Sequence, residues 1–201
     1  MKILLTGFEP FDSSPINPSE QILHALKDES IPGMQLETAV LPVDLRRGPA
    51  ALLQAVETAE PEAIICLGQA SRRTVISIER VAVNLLDFRI PDNVGNQVED
   101  QLIEPDGPAA YFTTLPVREI YNNLKENGIP AELSLSAGTY LCNQVIFTLL
   151  HYLKNQGMEA PAGFIHLPAL PEQAAQMKGS IPSMSLEIMT QGIRLAIQVI
   201  S

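Results

Sequence analysis

Apolar and polar positions along the chain follow two periods, one typical of strands and the other of helices. Short apolar or alternating runs that end at glycine, proline or serine predict strands at 2–8, 35–43, 62–68, 74–86, 131–136 and 163–168. Helical spacing predicts helices at 19–29, 49–59 and 117–128, one starting around Cys142 and one from about 184. Ser19 is the expected N-cap of the first helix.

Strands and helices alternate through most of the chain, which indicates an α/β sandwich with a largely parallel central sheet. The extended run at 74–86 follows another strand without a helix between them, so we expect a mixed sheet. Ligands of such folds bind at the carboxyl ends of the strands. Polar residues follow three such ends, in GFEPF, CLGQASRR and FIHLP.

Composition narrows the class of protein. The 201 residues, 46% of them hydrophobic and 18% charged, are typical of one soluble domain over 1–201. A formal charge of −10 argues against nucleic acid or an anionic membrane as partner. Gly7 and Pro10 interrupt the first apolar run too early for a signal or membrane segment. Two unpatterned cysteines favour a reducing compartment, and we expect a cytoplasmic protein.

Several kinds of site can be excluded from the motifs. The sequence has no phosphate-binding G-x-x-x-x-G-K-[ST], no dinucleotide-binding G-x-G-x-x-G, no H-E-x-x-H and no serine-hydrolase G-x-S-x-G. The two cysteines lie 76 positions apart and the three histidines do not cluster, so we expect no metal site.

Cys142 is the first candidate for chemistry. It lies in the first turn of a predicted helix, where unpaired N–H groups and the helix dipole favour a thiolate and stabilise an oxyanion. Gly138 permits a tight turn into that helix. Position alone leaves the alternative that Cys142 is a small packed residue. Cys66, inside an apolar strand, is expected to be part of the core.

A cysteine nucleophile needs a base, and His166 at the end of a predicted strand is the best placed. His24 and His151 lie in the middle of helices and are expected at or near the surface. Glu79 is an acid in an otherwise apolar extended run, so it needs a partner. It could orient the imidazole of His166, or form a structural ion pair with Arg72, Arg73 or Arg80.

Six segments together resemble the pyroglutamyl peptidase I family of cysteine peptidases, and the resemblance covers essentially the whole chain. The segments are TGFEPF with INPS (6–11 and 16–19), the run from Gly68 to Asn84, DFRIPDNVGNQ (87–97), DGPAAYFTTLP (106–116), SAGTYLCN (136–143) and FIHLP (164–168). The runs around Glu79 and Cys142 are long enough to be specific to this family.

The resemblance implies a catalytic triad of Glu79, Cys142 and His166 in a three-layer α/β/α sandwich that assembles as a homotetramer. It also implies a slot for the flat pyroglutamyl ring. The residues implied for that slot are Phe8, Phe11, Asn17, Gln69, Arg89, Ile90, Tyr140 and Leu141. Phe8 and Phe11 would sandwich the ring, while Asn17 and Gln69 would bond its amide and carbonyl groups.

The implied activity is removal of an N-terminal pyroglutamyl residue from peptides through a thioester, without metal or cofactor. Two alternatives remain open at this point. One is a related cysteine amidase that acts on another small lactam or acyl amide. The other is a non-catalytic binding protein with the same fold.

Overall fold

The computed structural model describes residues 1–27, 29 and 31–200, which form eight strands and six helices. The strands are β1 (Lys2–Phe8), β2 (Gln35–Leu41), β3 (Ala63–Gln69), β4 (Ile76–Glu79), β5 (Val81–Val83), β6 (Ala110–Phe112), β7 (Ala131–Ser134) and β8 (Ala162–Leu167). The helices are α1 (Pro18–Leu26), α2 (Arg47–Ala59), α3 (Val117–Glu126), α4 (Leu141–Gln156), α5 (Pro171–Gln176) and α6 (Leu186–Ile200).

The main sheet has six strands in the order β2-β1-β3-β8-β4-β7. β2, β1, β3 and β8 are parallel to one another, so the carboxyl ends of β1, β3 and β8 meet at one edge. β4 runs antiparallel to β8 and parallel to β7. This confirms the expected mixed, mostly parallel sheet.

Helices cover both faces of this sheet, which completes the three layers predicted from the sequence. On one face α1, α3 and α6 bury residues such as Ile22, Leu124 and Ile193 against the sheet. On the other face α2 and α4 bury residues such as Leu52 and Phe147. β3 and β8 are buried along their whole length apart from Gln69, as expected for strands covered on both sides.

The extended run predicted at 74–86 divides at Arg80. Its first part, β4, belongs to the main sheet, whereas its second part, β5, pairs with β6 in a separate two-stranded sheet. Strand β6 and helix α5 were not predicted. Both are short, and the three residues of β6 are largely exposed, so neither has a clear apolar period.

The N-cap of α1 is Asn17, so the prediction of Ser19 was wrong. The Asn17 side chain accepts a hydrogen bond from the Ser19 amide, and Pro18 occupies the first turn, where its missing N–H has no cost. Asp28, within the predicted helix, lies outside the described residues. None of the helices in the described part of the chain combines the length and apolar content needed to cross a membrane.

Candidate active site

Glu79 and His166 face each other across the antiparallel β4–β8 pair. His166 is the register partner of Ser77 and Glu79 is the partner of Phe164, so the two functional side chains are diagonal neighbours on one face of the sheet. Nδ1 of His166 lies 2.7 Å from Oε1 of Glu79, and both residues are buried. An ionised carboxylate accepts hydrogen bonds, so Nδ1 carries the proton and Nε2 is left as the basic nitrogen.

Arg73 is the cation that neutralises Glu79, which decides among the three arginines considered from the sequence. Its Nη2 lies 2.9 Å from the same Oε1 of Glu79 and 2.8 Å from the carbonyl oxygen of Ser136. Its Nη1 contacts Glu132 at 3.1 Å. Glu79 therefore takes part both in an imidazole pair and in an ion pair, two interpretations that the sequence had left as alternatives.

Cys142 is the second residue of α4, directly above this face of the sheet. Gly68, the register partner of His166 on β3, makes room for its sulfur. A methyl group at Gly68 would lie 2.9 Å from Sγ of Cys142 and 2.6 Å from the ring of Phe164. Glycine is therefore required here because the thiol, an aromatic ring and a strand backbone meet too closely for any side chain.

A cavity of about 640 Å³ opens over the thiol and the imidazole. All eight residues predicted for the substrate slot line it together with Cys142 and His166: Phe8, Phe11, Asn17, Gln69, Arg89, Ile90, Tyr140 and Leu141. Phe8 and Leu141 are buried in its floor, and Arg89 is exposed at its rim. Glu79 lies behind His166 rather than in the wall.

Two amide side chains of the cavity wall already use most of their hydrogen-bonding capacity within the protein. Oδ1 of Asn17 accepts from the amide and the hydroxyl of Ser19, and its Nδ2 donates to the carbonyl of Glu9. Nε2 of Gln69 donates to the hydroxyl of Ser71 and to Gln173. Few of their polar atoms therefore remain for a ligand.

The segment 87–97 is fixed against the cavity by two contacts of Tyr140. The Tyr140 hydroxyl donates a hydrogen bond to the carbonyl of Pro91 at 3.1 Å, and its ring meets that of Phe88 edge to face at a centroid distance of 4.5 Å. The start of the helix that carries Cys142 is thus joined to the opposite wall of the cavity.

Asp92 holds the turn of the same segment. Burial raises the pKa of its carboxyl, but hydrogen bonds from Asn96 and from the amides of Leu45, Asn96 and Val94 outweigh burial, so the net pKa is lowered. The four bonds to this carboxylate are between 2.8 and 3.1 Å long. Asp92 is therefore an ionised anchor of the loop, not a candidate acid for catalysis.

Known proteins of one family resemble the chain over essentially its whole length. The sequence model described as pyroglutamyl peptidase matches residues 1–201. The chain belongs to this family. It is 45% identical to pyrrolidone-carboxylate peptidase 1 of Photorhabdus laumondii over 97% of this chain and 90% of that protein. It is 43% identical to the pyrrolidone-carboxylate peptidase of Coprothermobacter proteolyticus over 100% and 97% of the two chains.

Solved structures of the family have the same fold. A variant of pyrrolidone carboxyl peptidase from Pyrococcus furiosus superposes with a TM-score of 0.96 at 44% identity, over 99% of this chain and 97% of that one. The enzyme from Thermococcus litoralis superposes with a TM-score of 0.94 at 46% identity, over 98% and 92%. The central sheet and its flanking helices are therefore those of the family.

The environment of the Cys142 thiol differs from the sequence-based expectation of a favoured thiolate. Burial raises the pKa of Cys142 to about 12, the negative charge of Glu79 adds to the rise, and the backbone N–H of Cys142 opposes it. The N–H group at the start of the helix lowers the thiol pKa, as the sequence led us to expect, but burial and the charge of Glu79 raise it by more. The Cys142 thiol is therefore protonated at neutral pH.

Sequence reasoning missed three residues that shape the site. They are Gly68, whose lack of a side chain admits the thiol, Arg73 as the specific partner of Glu79, and the buried Gln173. Gly68 and Gln173 act through contacts between segments distant in the chain, which no local period reveals. Arg73 is one of three arginines near Glu79 in sequence, and only the fold selects it. Across the described ranges, no group of three or more His, Cys, Asp or Glu side chains is arranged to hold a metal ion.

The raised pKa of the Cys142 thiol predicts a steep pH dependence of alkylation in the absence of substrate. Because only the thiolate reacts, the rate constant with iodoacetamide should rise by about tenfold per pH unit between pH 7 and 9. Peptide mass spectrometry measures the modification of each cysteine. A rate constant that is flat over this range would instead show a thiolate already formed at pH 7.

Cys66 is the internal control for this experiment. It is fully buried in β3, and burial raises the pKa of its thiol to about 12 as well. It should remain unmodified while the protein is folded, and it should react only after denaturant is added.

Proposed function

We propose that this chain is a cysteine peptidase that removes an N-terminal pyroglutamyl residue from peptides. The observation that carries the proposal is one cavity that holds a thiol at a helix N-terminus, an imidazole paired with a buried carboxylate, and two aromatic side chains. The relatives named above as pyrrolidone-carboxylate peptidases support the same substrate.

In the first step, Nε2 of His166 takes the thiol proton while Sγ of Cys142 attacks the pyroglutamyl carbonyl carbon. Glu79 keeps the proton on Nδ1 and stabilises the imidazolium that forms. The tetrahedral intermediate then breaks its C–N bond, and His166 returns the proton to the leaving amine. The product of this half-reaction is a thioester on Cys142 and a free peptide.

The oxyanion of the intermediate is assigned to the open amides at the start of α4. The N-cap Tyr140 offers no side-chain oxygen to these N–H groups, and the backbone N–H of Cys142 acts on its own sulfur by lowering the thiol pKa. Arg89 at the cavity rim supplies a positive charge. Water, deprotonated by His166, then attacks the thioester carbon. The C–S bond breaks, His166 returns the proton to the sulfur, and free pyroglutamate leaves.

The flat lactam ring fits between the aromatic side chains of Phe8 and Phe11. Ile90, Tyr140 and Leu141 complete an apolar enclosure for its methylene groups. A ring that has no net charge loses little hydration energy in such a slot. An open-chain glutamyl group carries charges for which this enclosure has no counterpart, so we expect it to be rejected.

Asn17 is suited to the ring carbonyl. Both lone pairs of its Oδ1 and one of its two Nδ2 hydrogens are already bonded to Ser19 and Glu9, so what remains is a single N–H donor. Asn17 can therefore donate to the lactam C=O but not accept from the lactam N–H. The acceptor for that N–H has to come from elsewhere, and Gln69 is the candidate.

The proposal includes a single catalytic domain over residues 1–201, which works in the cytoplasm without a metal or organic cofactor. The mechanism uses protein side chains and water alone, and both cysteines are free thiols, which suits a reducing compartment. We also propose that the chain assembles as a homotetramer. Exposed apolar side chains such as Phe112 and Leu135, 74% and 67% exposed, support burial between subunits.

The first prediction is release of a chromogenic amine from its pyroglutamyl amide. Prolyl and glutamyl amides of the same amine should react far more slowly, because they lack the ring carbonyl or carry charge. Cys142→Ala should reduce kcat/KM by roughly 10⁴-fold or more. Full activity in that variant would overturn the mechanism, and equal rates on prolyl amide would overturn the substrate assignment.

The second prediction concerns the carboxylate that orients the base. Glu79→Gln should lower kcat by roughly 10²- to 10⁴-fold, because the imidazolium loses its charge partner and its tautomer is no longer fixed. Glu132→Gln is a matched control, since Glu132 contacts the same Arg73 but not His166. Glu132 belongs to a half-exposed ion pair, so Glu132→Gln should change kcat by less than about threefold. Equal losses in the two variants would argue against the proposed role of Glu79.

The third prediction concerns assembly. Size-exclusion chromatography with light scattering should give a molar mass near four times the 21.9 kDa of the chain. A dilution series is the control, because the molar mass of a non-specific aggregate would change with protein concentration. A stable mass of one or two chains would overturn the tetramer while leaving the catalytic proposal intact.

A further inference from the structure

Gln173 is a buried amide directly behind the active site. It is the third residue of the short helix α5 and is 7% exposed. It lines a smaller cavity of about 240 Å³, which shares Phe11 and Gln69 with the catalytic cavity. Gln173 is absent from the lining of the catalytic cavity itself, so any effect on a substrate there has to pass through another residue.

Two backbone groups fix the orientation of the Gln173 amide. Its Oε1 accepts a hydrogen bond of 2.9 Å from the N–H of Leu170. Its Nε2 donates to the carbonyl oxygen of Ile16 at 3.0 Å and to the hydroxyl of Ser14 at 2.8 Å. The reversed amide would place oxygen against oxygen and N–H against N–H, so only one orientation is compatible with its surroundings.

Gln173 in turn fixes the orientation of Gln69. Oε1 of Gln173 accepts a hydrogen bond of 3.2 Å from Nε2 of Gln69. Oε1 of Gln69 lies 3.2 Å from Nε2 of Gln173, whose two N–H groups have closer acceptors in Ser14 and Ile16. The other Nε2 hydrogen of Gln69 goes to the hydroxyl of Ser71 at 2.9 Å. Both donors of Gln69 are therefore used, and within the described residues at least one lone pair of its Oε1 remains for a ligand.

We infer that Gln173 is a positioning residue for substrate selection, because it makes Gln69 present a hydrogen-bond acceptor, and not a donor, to the lactam N–H of the substrate. The inference rests on the proposed pyroglutamyl peptidase function. Asn17 then meets the lactam C=O with a donor and Gln69 meets the N–H with an acceptor. This complementary pair distinguishes a lactam from a ring that has the carbonyl but no N–H.

The same amide also holds the segment that carries Phe11. Its bonds to Ser14 and Ile16 join α5 to the loop after β1. Loss of Gln173 would affect this loop as well as Gln69. The test therefore has to separate a lost acceptor from a loosened loop.

The test compares two substrates with the same leaving amine. One is the pyroglutamyl amide, and the other is the 3-oxocyclopentanecarbonyl amide, in which CH₂ replaces the ring N–H. The wild type should prefer the lactam by about tenfold or more in kcat/KM, because the ketone leaves the Gln69 acceptor unpaired. Gln173→Leu should reduce this preference to less than about threefold, mainly through a higher KM for the lactam.

The ratio of the two kcat/KM values is independent of the amount of folded enzyme, so partial unfolding of the variant does not affect it. Gln173→Glu is the second variant: it is isosteric, keeps the acceptor for Nε2 of Gln69 and loses the donors to Ser14 and Ile16, so it should keep the preference for the lactam. Gln176→Leu is the matched control: Gln176 lies on the same helix and lines the same smaller cavity, but is exposed. Its preference should equal that of the wild type.

The outcomes are separable. If Gln173→Leu keeps the wild-type preference while both substrates slow equally, the residue is only structural and the inference is wrong. If Gln173→Glu loses the preference as Gln173→Leu does, the loosened loop explains the loss and the inference is wrong as well. If the wild type shows no preference, Gln69 does not accept from the ring N–H, and the inference is again wrong. If the wild type does not hydrolyse the pyroglutamyl amide at all, the proposed function itself fails.

Discussion

The buried charge of Glu79 is the constraint on which the site depends. Its side chain is 1% exposed, and an ionised carboxylate at that depth is costly unless it is paired and hydrogen-bonded. Both partners, Arg73 and His166, meet the same oxygen, Oε1, at 2.9 and 2.7 Å. Within the described part of the chain, the other oxygen has no hydrogen-bond partner, so removal of either Arg73 or His166 would leave much of the charge uncompensated.

This pairing depends on the one antiparallel contact of the main sheet. Because β4 runs against β8, Glu79 falls diagonally opposite His166 instead of at the far end of its strand. Arg73 extends the contact to the carbonyl of Ser136, in the loop that leads into α4 and Cys142. The carboxylate, the base and the approach to the nucleophile are thus held by one connected set of charged hydrogen bonds.

Much of this arrangement could be predicted from the sequence, and the limits have physical causes. β1, β3 and β8 were predicted to within a residue or two because each is a compact apolar run. The break at Arg80 was not predicted, because β4 and β5 have the same extended propensity and separate only through their pairing partners. The partner of Glu79 stayed ambiguous because Arg72, Arg73 and Arg80 are all near it in sequence, and only the folded structure selects one of them.

The pKa of Cys142 could not be predicted from the sequence either, because its largest contributions come from residues distant in the chain. The helix N-terminus is a local feature that can be inferred from the sequence, and it does lower the thiol pKa. Burial and the charge of Glu79 come from strands distant in the chain, and they have the larger effect. In the proposed mechanism, a neutral resting thiol couples its deprotonation to the arrival of substrate, which brings the carbonyl that the sulfur attacks.

The amide side chains that line the cavity follow a common rule: most of their hydrogen-bonding capacity is satisfied inside the protein. Asn17 also caps α1, and Gln69 is held by Ser71 and Gln173. Side chains fixed in this way cannot turn to suit a different ligand, so each presents one defined donor or acceptor. Because a mismatched ring would leave these groups unpaired in a largely apolar enclosure, selectivity follows from the fixed surroundings of the contact residues as much as from the residues themselves.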